Sequence, residues 1–323
     1  MIGPLVGVSV VSMLGAPTES WTPFRNTGQW VIGTALGLYF TPEVGLLIAG
    51  LWWAIALGVA WALAMGLGFG AWLRRVHAGH LSNLTPKELH TTTYFSGSIG
   101  GASEMTLIAE RHGARTDLVA AAHSLRVLMV TLTVPLVMQL SGVAPIDVLS
   151  QGIRVVNTEG LLRLAGLTLV GALAMQHLGR ANPWFLGALL VTMVITLADV
   201  RFSAIPGWLS ASAQLVIGLS LGVRFTPVFV HTAPRWLASV ALATAAMMAL
   251  CAGFGWAMAQ ATGLPPATLI LGTAPGGIAE MAITAKVLQL GVPVVTAFQV
   301  CRLVAVLVLA EPVYRWRRSR LRP

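Results

Sequence analysis

Two short phrases of nearly identical sequence each place a glutamate in an apolar stretch of this chain. They read Gly-Gly-Ala-Ser-Glu-Met at 100–105 and Gly-Gly-Ile-Ala-Glu-Met at 276–281, so Glu104 and Glu280 occupy equivalent positions. An ionisable side chain at membrane depth is costly unless it faces a cavity or a partner. The pair therefore predicts a site of solute binding or ion coupling, with helix capping or structural ion pairing as the alternative.

The residues before each glutamate weaken helices. Segments 96–101 (Ser-Gly-Ser-Ile-Gly-Gly) and 272–277 (Gly-Thr-Ala-Pro-Gly-Gly) lie inside otherwise apolar runs. Glycine and proline disfavour helix interiors, and irregular backbone at membrane depth occurs only against protein or water. Each segment predicts a helix that unwinds and restarts near the second glycine, with the glutamate in its first turn. Burial there favours the protonated carboxyl and the positive helix end favours the anion, so proton occupancy could change.

An arginine follows each glutamate at the same distance, Arg126 in the first copy and Arg302 in the second. Both lie in the middle of apolar runs, too far from the ends to reach water easily. Because arginine stays charged, each needs an anion. The residues leave two readings open: an ion pair with Glu104 or Glu280, within or across the copies, or contact with an anionic substrate.

Further polar positions also occur in equivalent pairs. His123 and Gln299 stand three residues before each arginine, on the same helix face, and are either hydrogen-bonding neighbours of the site or packing residues. Glu110 and Lys286 stand six residues after each glutamate and either meet or lie at solvated helix ends. The remaining candidates are the breaking and hydroxyl-bearing residues Ser98, Gly100, Gly101, Ser103, Thr273, Pro275, Gly276 and Gly277.

The composition indicates which elements must position these residues. Of 323 residues, 56% are hydrophobic and only 10% are charged, whereas soluble domains carry about 25% charged residues. Several runs approach the roughly 20 residues that span a bilayer. We predict an all-α, polytopic transmembrane bundle of about 10–11 helices. The segments lie near 1–15, 28–41, 44–73, 91–110, 116–140, 160–178, 183–199, 209–226, 233–261, 266–288 and 292–314.

The formal net charge of +9 has a membrane explanation rather than a nucleic-acid one. Five arginines crowd into 315–323, after the last apolar run, and further basic residues lie in 74–90. Positive charge marks the cytoplasmic ends of membrane proteins. We therefore expect a multi-pass protein of the bacterial inner membrane with a basic cytoplasmic tail at 315–323, no nucleic-acid partner, and the lipid bilayer as its surroundings.

The sequence lacks the residue patterns that metal binding, disulfide formation, phosphate binding and nucleophilic catalysis require. His77, His80 and His90 have no carboxylate or thiol at ligand spacing, so we predict no metal site. Cys251 and Cys301 lie in separate apolar segments, which predicts no disulfide framework. No phosphate-binding glycine loop and no serine–histidine–aspartate arrangement occurs. The sequence thus predicts neither an enzyme nor a cofactor.

An internal duplication organises the whole chain. Segment 29–42 aligns without gaps on 214–227, and the glutamate phrase and trailing arginine then repeat in the same order. We predict repeats at 1–145 and 160–314 joined by a loop at 146–159, with 160–178 lacking a counterpart, so that the first repeat lacks its leading helix. Gly33, Gly37, Gly218 and Gly222 predict close helix packing. Paired interrupted helices in repeats are typical of secondary transporters; the relative orientation of the repeats stays open, and a homo-oligomer is compatible with the sequence.

With these paired motifs, the sequence resembles the bacterial membrane AbrB family over essentially its whole length. The resemblance implies an internally duplicated membrane protein, and members of the family tend to begin with one more hydrophobic helix. An ammonia monooxygenase label used in the family finds no support, because no cluster of copper ligands occurs. We expect a secondary-transporter-like carrier of a small anionic or proton-coupled solute, with a membrane regulator or sensor of gene expression as the alternative.

Overall fold

A computed structural model describes residues 2–14, 16, 21–79, 84–142, 155–179, 182–223 and 234–320. Within these ranges the regular structure is α-helical and contains no strand, which confirms the predicted all-α class. Fourteen helices are described: α1 (Ile2–Met13), α2 (Thr22–Gly37), α3 (Pro42–Gly50), α4 (Trp52–His77), α5 (Pro86–Gly97), α6 (Ala102–Arg111), α7 (Thr116–Leu140), α8 (Thr158–His177), α9 (Pro183–Leu197), α10 (Gly207–Gly222), α11 (Pro234–Thr262), α12 (Pro266–Thr273), α13 (Ile278–Leu288) and α14 (Val292–Arg320).

Five of the described helices, α4, α7, α8, α11 and α14, are long and apolar enough to cross a membrane. Helices α2 and α3 pass the same test together, although they are bent by 87° at their junction. A bilayer core needs about 20 apolar residues in a helix. The chain is therefore a multi-pass membrane protein.

Several predicted helix bounds differ from the structure: α2 begins at Thr22 and α5 at Pro86, both earlier than predicted. The segment 44–73 is not one helix, because α3 ends at Gly50 and α4 begins at Trp52. Leu51 lies between them with φ −92° and ψ 9°, and its N–H bonds the carbonyl of Ile48 in a tight turn. The predicted tail at 315–323 also begins as helix, since α14 continues through Arg320. Most of the predicted loop 146–159 lies outside the described residues.

Both predicted helix breaks are confirmed. Residues 98–101 separate α5 from α6, and residues 274–277 separate α12 from α13. The backbone leaves the two helices in the same way, with φ −59° and ψ 134° at Ser98 and φ −56° and ψ 141° at the equivalent Ala274. The two copies thus share one local backbone turn.

The chain divides into two compact units that each draw on both sequence repeats. Unit 1 comprises Met1–Trp52, Pro135–Pro227 and Ala279–Thr296, and unit 2 comprises Trp53–Val134, Val228–Ile278 and Ala297–Pro323. The duplicated helices α2 and α10 lie in unit 1, while α5 and α12, which precede the breaks, lie in unit 2. The predicted repeats 1–145 and 160–314 therefore describe the duplication in the sequence and do not coincide with the two compact units.

In unit 1, glycines bring α2 against α9. A Cβ on Gly33 would overlap the carbonyl of Phe185, and one on Gly37 would lie 2.5 Å from Cβ of Thr192. The predicted close packing is thus confirmed for these two glycines. Gln29 on α2 also donates to Oδ1 of Asn182 at 2.9 Å, just before α9.

In unit 2, two apolar clusters hold the break-bearing helices in place. Phe69, Leu73 and Trp236 belong to a cluster that joins α4, α7 and α11. Phe95 and Met105 belong to a second one that joins α5, α6, α7 and α14. In a membrane, such buried side chains stabilise the fold through close van der Waals packing between helices. The elements on both sides of the first break are therefore held by packing rather than by local propensity alone.

Candidate functional site

Arg126 of α7 lies at the carboxyl end of α5. It is 2% exposed, and it donates to the carbonyl oxygens of Ser96, Gly97 and Ser98 at 3.4, 3.5 and 2.8 Å. The last carbonyls of a helix have no partner within the helix and carry a partial negative charge. Arg126 therefore caps the end of α5, and its charge is balanced by a helix terminus.

His123 completes this cap. Its Nδ1 lies 2.6 Å from Nη2 of Arg126, and its Nε2 lies 3.0 Å from the carbonyl oxygen of Phe95. A guanidinium group only donates hydrogen bonds, so Nδ1 must accept. Nε2 then carries the hydrogen and donates to Phe95. The geometry assigns His123 as a neutral imidazole in a single tautomer.

The second break is capped by the equivalent residues. Arg302 donates to the carbonyl oxygens of Ala274 and Gly276, both at 2.5 Å. Nε2 of Gln299 donates to the carbonyl oxygens of Leu271, Gly272 and Ala274, at 2.8, 3.2 and 3.1 Å. Leu271 is the counterpart of Phe95, and Ala274 is the counterpart of Ser98. The hydrogen-bond pattern is therefore duplicated together with the sequence.

The ion pair predicted between Arg126 and Glu104 is wrong. Among the described residues of unit 2, no carboxylate oxygen lies within 4.0 Å of the Arg126 guanidinium group. Pairing of Arg126 with Glu280, which belongs to unit 1, stays a prediction. The hydrogen-bond acceptors of Arg126 are backbone carbonyls. Every residue has one, so the sequence could not show which of them Arg126 contacts. For Arg302, carbonyl bonding is established and pairing with a carboxylate stays a prediction. Both arginines lie in unit 2, close enough for their charges to repel.

Both glutamates lie where the sequence predicts, in the first turn of the restarted helices. Glu104 is the third residue of α6 and Glu280 the third residue of α13. The carboxylate of Glu104 folds back over Gly101, where an added Cβ would overlap Oε2. Glu280 is 8% exposed, whereas Glu104 is only half-buried. Positive helix ends favour a carboxylate at this position.

Residues 1–318 match the protein family described as "Transition state regulatory protein AbrB". The chain belongs to the AbrB family. The family resemblance that the paired motifs predicted is thus confirmed, and the matched residues contain both motifs.

Two relatives extend this similarity over nearly the full length. The Escherichia coli (strain K12) protein named "Putative regulator AbrB" is 24% identical over 98% of this chain and 89% of its own. The Bacillus subtilis (strain 168) protein named "Uncharacterized protein YhjN" is 24% identical over 98% of this chain and 86% of its own. No solved structure matches this member of the AbrB family.

Two of the hydroxyl groups predicted to line the site, those of Ser98 and Thr273, are bonded to the backbone. Ser98 donates to the carbonyl of Tyr94 at 3.1 Å. Thr273 lies within bonding distance of the carbonyls of Leu269 and Cys251, at 2.8 and 3.1 Å. The side chain of Ser103 lies outside the described residues. Of the remaining candidates, Gly100 makes room for Met105, whose Cγ would lie 2.8 Å from an added Cβ. Pro275 and Gly277 lie with Gly276 in the second break.

Two buried oxygens lie beside the breaks, one on Ser96, which sequence reasoning missed as a site residue, and one on Gln299, which it named as a candidate. Oγ of Ser96 and Oε1 of Gln299 are buried and have no hydrogen-bond partner among the described residues. A buried polar atom left unpaired costs about 1–3 kcal/mol, so such atoms often mark functional positions. The serine-rich break was the only sequence signal for Ser96.

The equivalent residues Glu110 and Lys286 have different surroundings, and the meeting of their charges stays a prediction because Glu110 belongs to unit 2 and Lys286 to unit 1. Lys286 donates to Oγ of Ser210 at 3.0 Å within unit 1. Glu110 lies exposed in the last turn of α6. Lys286 thus takes a hydroxyl partner, and Glu110 fits the alternative of a solvated helix end.

Proposed function

We propose that this AbrB-family protein is a secondary carrier of a small solute, coupled to a proton or cation that Glu104 and Glu280 bind. One observation carries the proposal. At each of two equivalent helix breaks, an arginine caps the carboxyl end of the first half-helix and a glutamate stands in the first turn of the second. Among the described residues, no cationic nitrogen lies within 4.0 Å of Glu104. Its carboxylate is thus available for a proton or ion.

The capped arginines favour a coupled proton or cation over an anionic substrate held by guanidinium groups. The guanidinium group of Arg126 already donates hydrogen bonds to three backbone carbonyls and to His123. The Glu104 carboxylate offers acceptor oxygens instead, and in unit 2 the buried oxygens of Ser96 and Gln299 have no hydrogen-bond partner among the described residues. Interrupted helices in secondary transporters supply backbone and helix ends to such sites, which open alternately to the two sides of the membrane.

The positive charges at the end of α14 also indicate where the protein lies in the cell. We infer an inner-membrane protein whose basic end of α14 lies on the cytoplasmic side, because lysine and arginine accumulate there. Arg315, Arg317 and Arg320 belong to the end of α14. Carrier function requires no catalytic residue or cofactor.

A flux assay in liposomes tests the proposal. Purified protein is reconstituted, and solute-dependent proton or cation flux is screened across a set of small solutes. We expect flux in the wild type and its loss in Glu104→Gln and Glu280→Gln, because the neutral amide cannot bind the coupling ion. Glu110→Gln on the same helix is the matched control and should keep the flux. Flux that survives in both site variants would contradict the proposal.

The second candidate is a membrane regulator or sensor, which the name of the Escherichia coli relative favours. A regulator has to present a surface to a partner outside the bilayer. The sequence offers 74–90, 141–159 and the basic tail as candidates for such a surface, and most of 141–159 lies outside the described residues. A regulatory phenotype that persists in both glutamate variants, with no flux in the wild type, would favour this candidate.

A further inference from the structure

A cationic cavity lies in unit 2, between α4, α5 and α14. Its enclosed part has room for about one water molecule, and the rest is a mouth that is open to solvent. Its walls come from the carboxyl ends of α4 and α14 and from the middle of α5. Arg74, His90 and Arg317 provide its charged and titratable lining, and Leu67 and Ala71 provide an apolar side.

The two arginines of this cavity differ from their neighbours in having no counter-ion. Neither Arg74 nor Arg317 has a carboxylate oxygen of the described residues within 4.0 Å, whereas Arg315 pairs with Glu311. Both side chains are half-buried. Two cations that share one cavity repel each other, and the repulsion is larger than in bulk water because the surroundings are partly desolvated. An anion in the cavity would remove this cost.

The shape of the cavity results from a glycine. Gly70 of α4 faces α5 so closely that an added Cβ would lie 2.9 Å from the carbonyl oxygen of Thr93. This contact brings α4 and α5 together at the wall of the cavity, where Gly70 and Thr93 both belong to the lining. The hydroxyl of Tyr94 donates to Ala310, so it is not a donor for a ligand. The guanidinium groups of Arg74 and Arg317 are therefore the donors that the proposed site uses.

We propose that this cavity binds a phosphate group. Guanidinium groups match phosphate oxygens with paired, charge-assisted hydrogen bonds. Arg74 belongs to the last turn of the spanning helix α4, and Leu67 and Ala71 continue from it along the apolar part of that helix. Basic pockets between helices at this level bind the headgroups of anionic lipids. An anionic lipid and a free phosphate share this chemistry, and the experiment distinguishes them.

The test uses the full-length protein in a neutral detergent. Binding of phosphatidylglycerol, phosphatidylcholine and inorganic phosphate is measured by native mass spectrometry and by the shift in unfolding temperature. We expect phosphatidylglycerol to bind and phosphatidylcholine not to bind. Arg74→Gln and Arg317→Gln should each weaken the binding by at least about tenfold, the value of one charge-assisted hydrogen bond. Arg75→Gln, an exposed neighbour on the same helix, is the matched control and should leave it unchanged.

Each outcome decides between sources or ends the proposal. Binding of phosphatidylglycerol alone identifies a lipid site, and binding of inorganic phosphate as well identifies a site for the free anion. Should a variant fail to fold, the wild type still decides, because binding to this site must weaken as salt rises. Equal binding of the two lipids, salt-independent binding, or binding unaffected by Arg74→Gln and Arg317→Gln would overturn the inference.

Discussion

The break after α5 and the break after α12 have the same backbone turn. An arginine bonds the free carbonyls in both copies, but the polar side chain beside it differs. Arg126 and Arg302 donate to the equivalent carbonyls of Ser98 and Ala274. The neighbouring donor is a histidine in the first copy and a glutamine in the second. What both copies keep is therefore the capping of a buried helix end, while the side chain that assists the arginine is interchangeable.

The two copies also differ in how the half-helix packs. Gly97 at the end of α5 touches the backbone of α4, since an added Cβ would lie 2.5 Å from the oxygen of Gly66 and the nitrogen of Gly70. The equivalent residue of α12 is Thr273, which reaches the carbonyl of Cys251 on α11 through its hydroxyl. Backbone contact in one copy is thus replaced by a side-chain hydrogen bond in the other.

The largest expected effect comes from removing an arginine cap. Arg126→Met leaves the carbonyl ends of α5 buried without a donor, and we expect a loss of about 3–5 kcal/mol in unfolding free energy. The measurement is denaturant unfolding in detergent, repeated with Glu104→Gln alone and with both changes. Because Arg126 pairs with carbonyls, the coupling energy to Glu104 should lie within about 0.5 kcal/mol of zero.

A coupling energy well above this value would restore the ion-pair reading. So would a double variant more stable than Arg126→Met alone, because the loss of Glu104 would then relieve an unpaired charge.

The packing difference predicts unequal responses to alanine at equivalent positions. Gly97→Ala should destabilise the protein by about 1–3 kcal/mol, because the new Cβ meets backbone atoms that cannot move aside. Thr273→Ala should cost about 1 kcal/mol, the value of a typical hydrogen bond. Gly68→Ala on α4 meets nothing within 4 Å and serves as the control, with no loss expected. Equal losses at Gly97 and Thr273 would show that the two helices pack alike.

Exchange of the assisting side chains predicts a smaller effect. His123→Gln keeps a donor for Phe95 and an acceptor for Arg126, so the change in unfolding free energy should stay below about 1 kcal/mol. His123→Leu removes both bonds and should cost about 1–3 kcal/mol. If both variants lose the same stability, histidine has a function that glutamine cannot replace.

The smallest expected effect on stability belongs to Gly101→Ala. Gly101 has φ −65°, which suits any residue, and the added Cβ meets only the flexible end of Glu104. We expect less than about 0.5 kcal/mol of change in unfolding free energy, together with altered flux in liposomes, because the carboxylate has to move. Unchanged flux would show that the observed position of this carboxylate does not matter for transport.

The sequence predicted the breaks and the first-turn glutamates because glycine and proline act on the local backbone. It also predicted that Arg126 and Arg302 are equivalent, since the repeat places them alike. It failed on the partners of Arg126 because carbonyl acceptors occur at every residue. The division of segment 44–73 at Leu51 was missed because Gly50 alone marks it inside an apolar run.

Composition and hydropathy by themselves determined that this chain is helical and spans a membrane, because burial in lipid requires apolar helices with satisfied backbones. Only the tertiary structure decided that the arginines cap helix ends, that each unit takes elements from both repeats, and that Arg74 and Arg317 share a cavity. These features depend on which helices pack against each other. Contacts between segments far apart in the sequence form only in the folded protein, so the local sequence pattern does not reveal them.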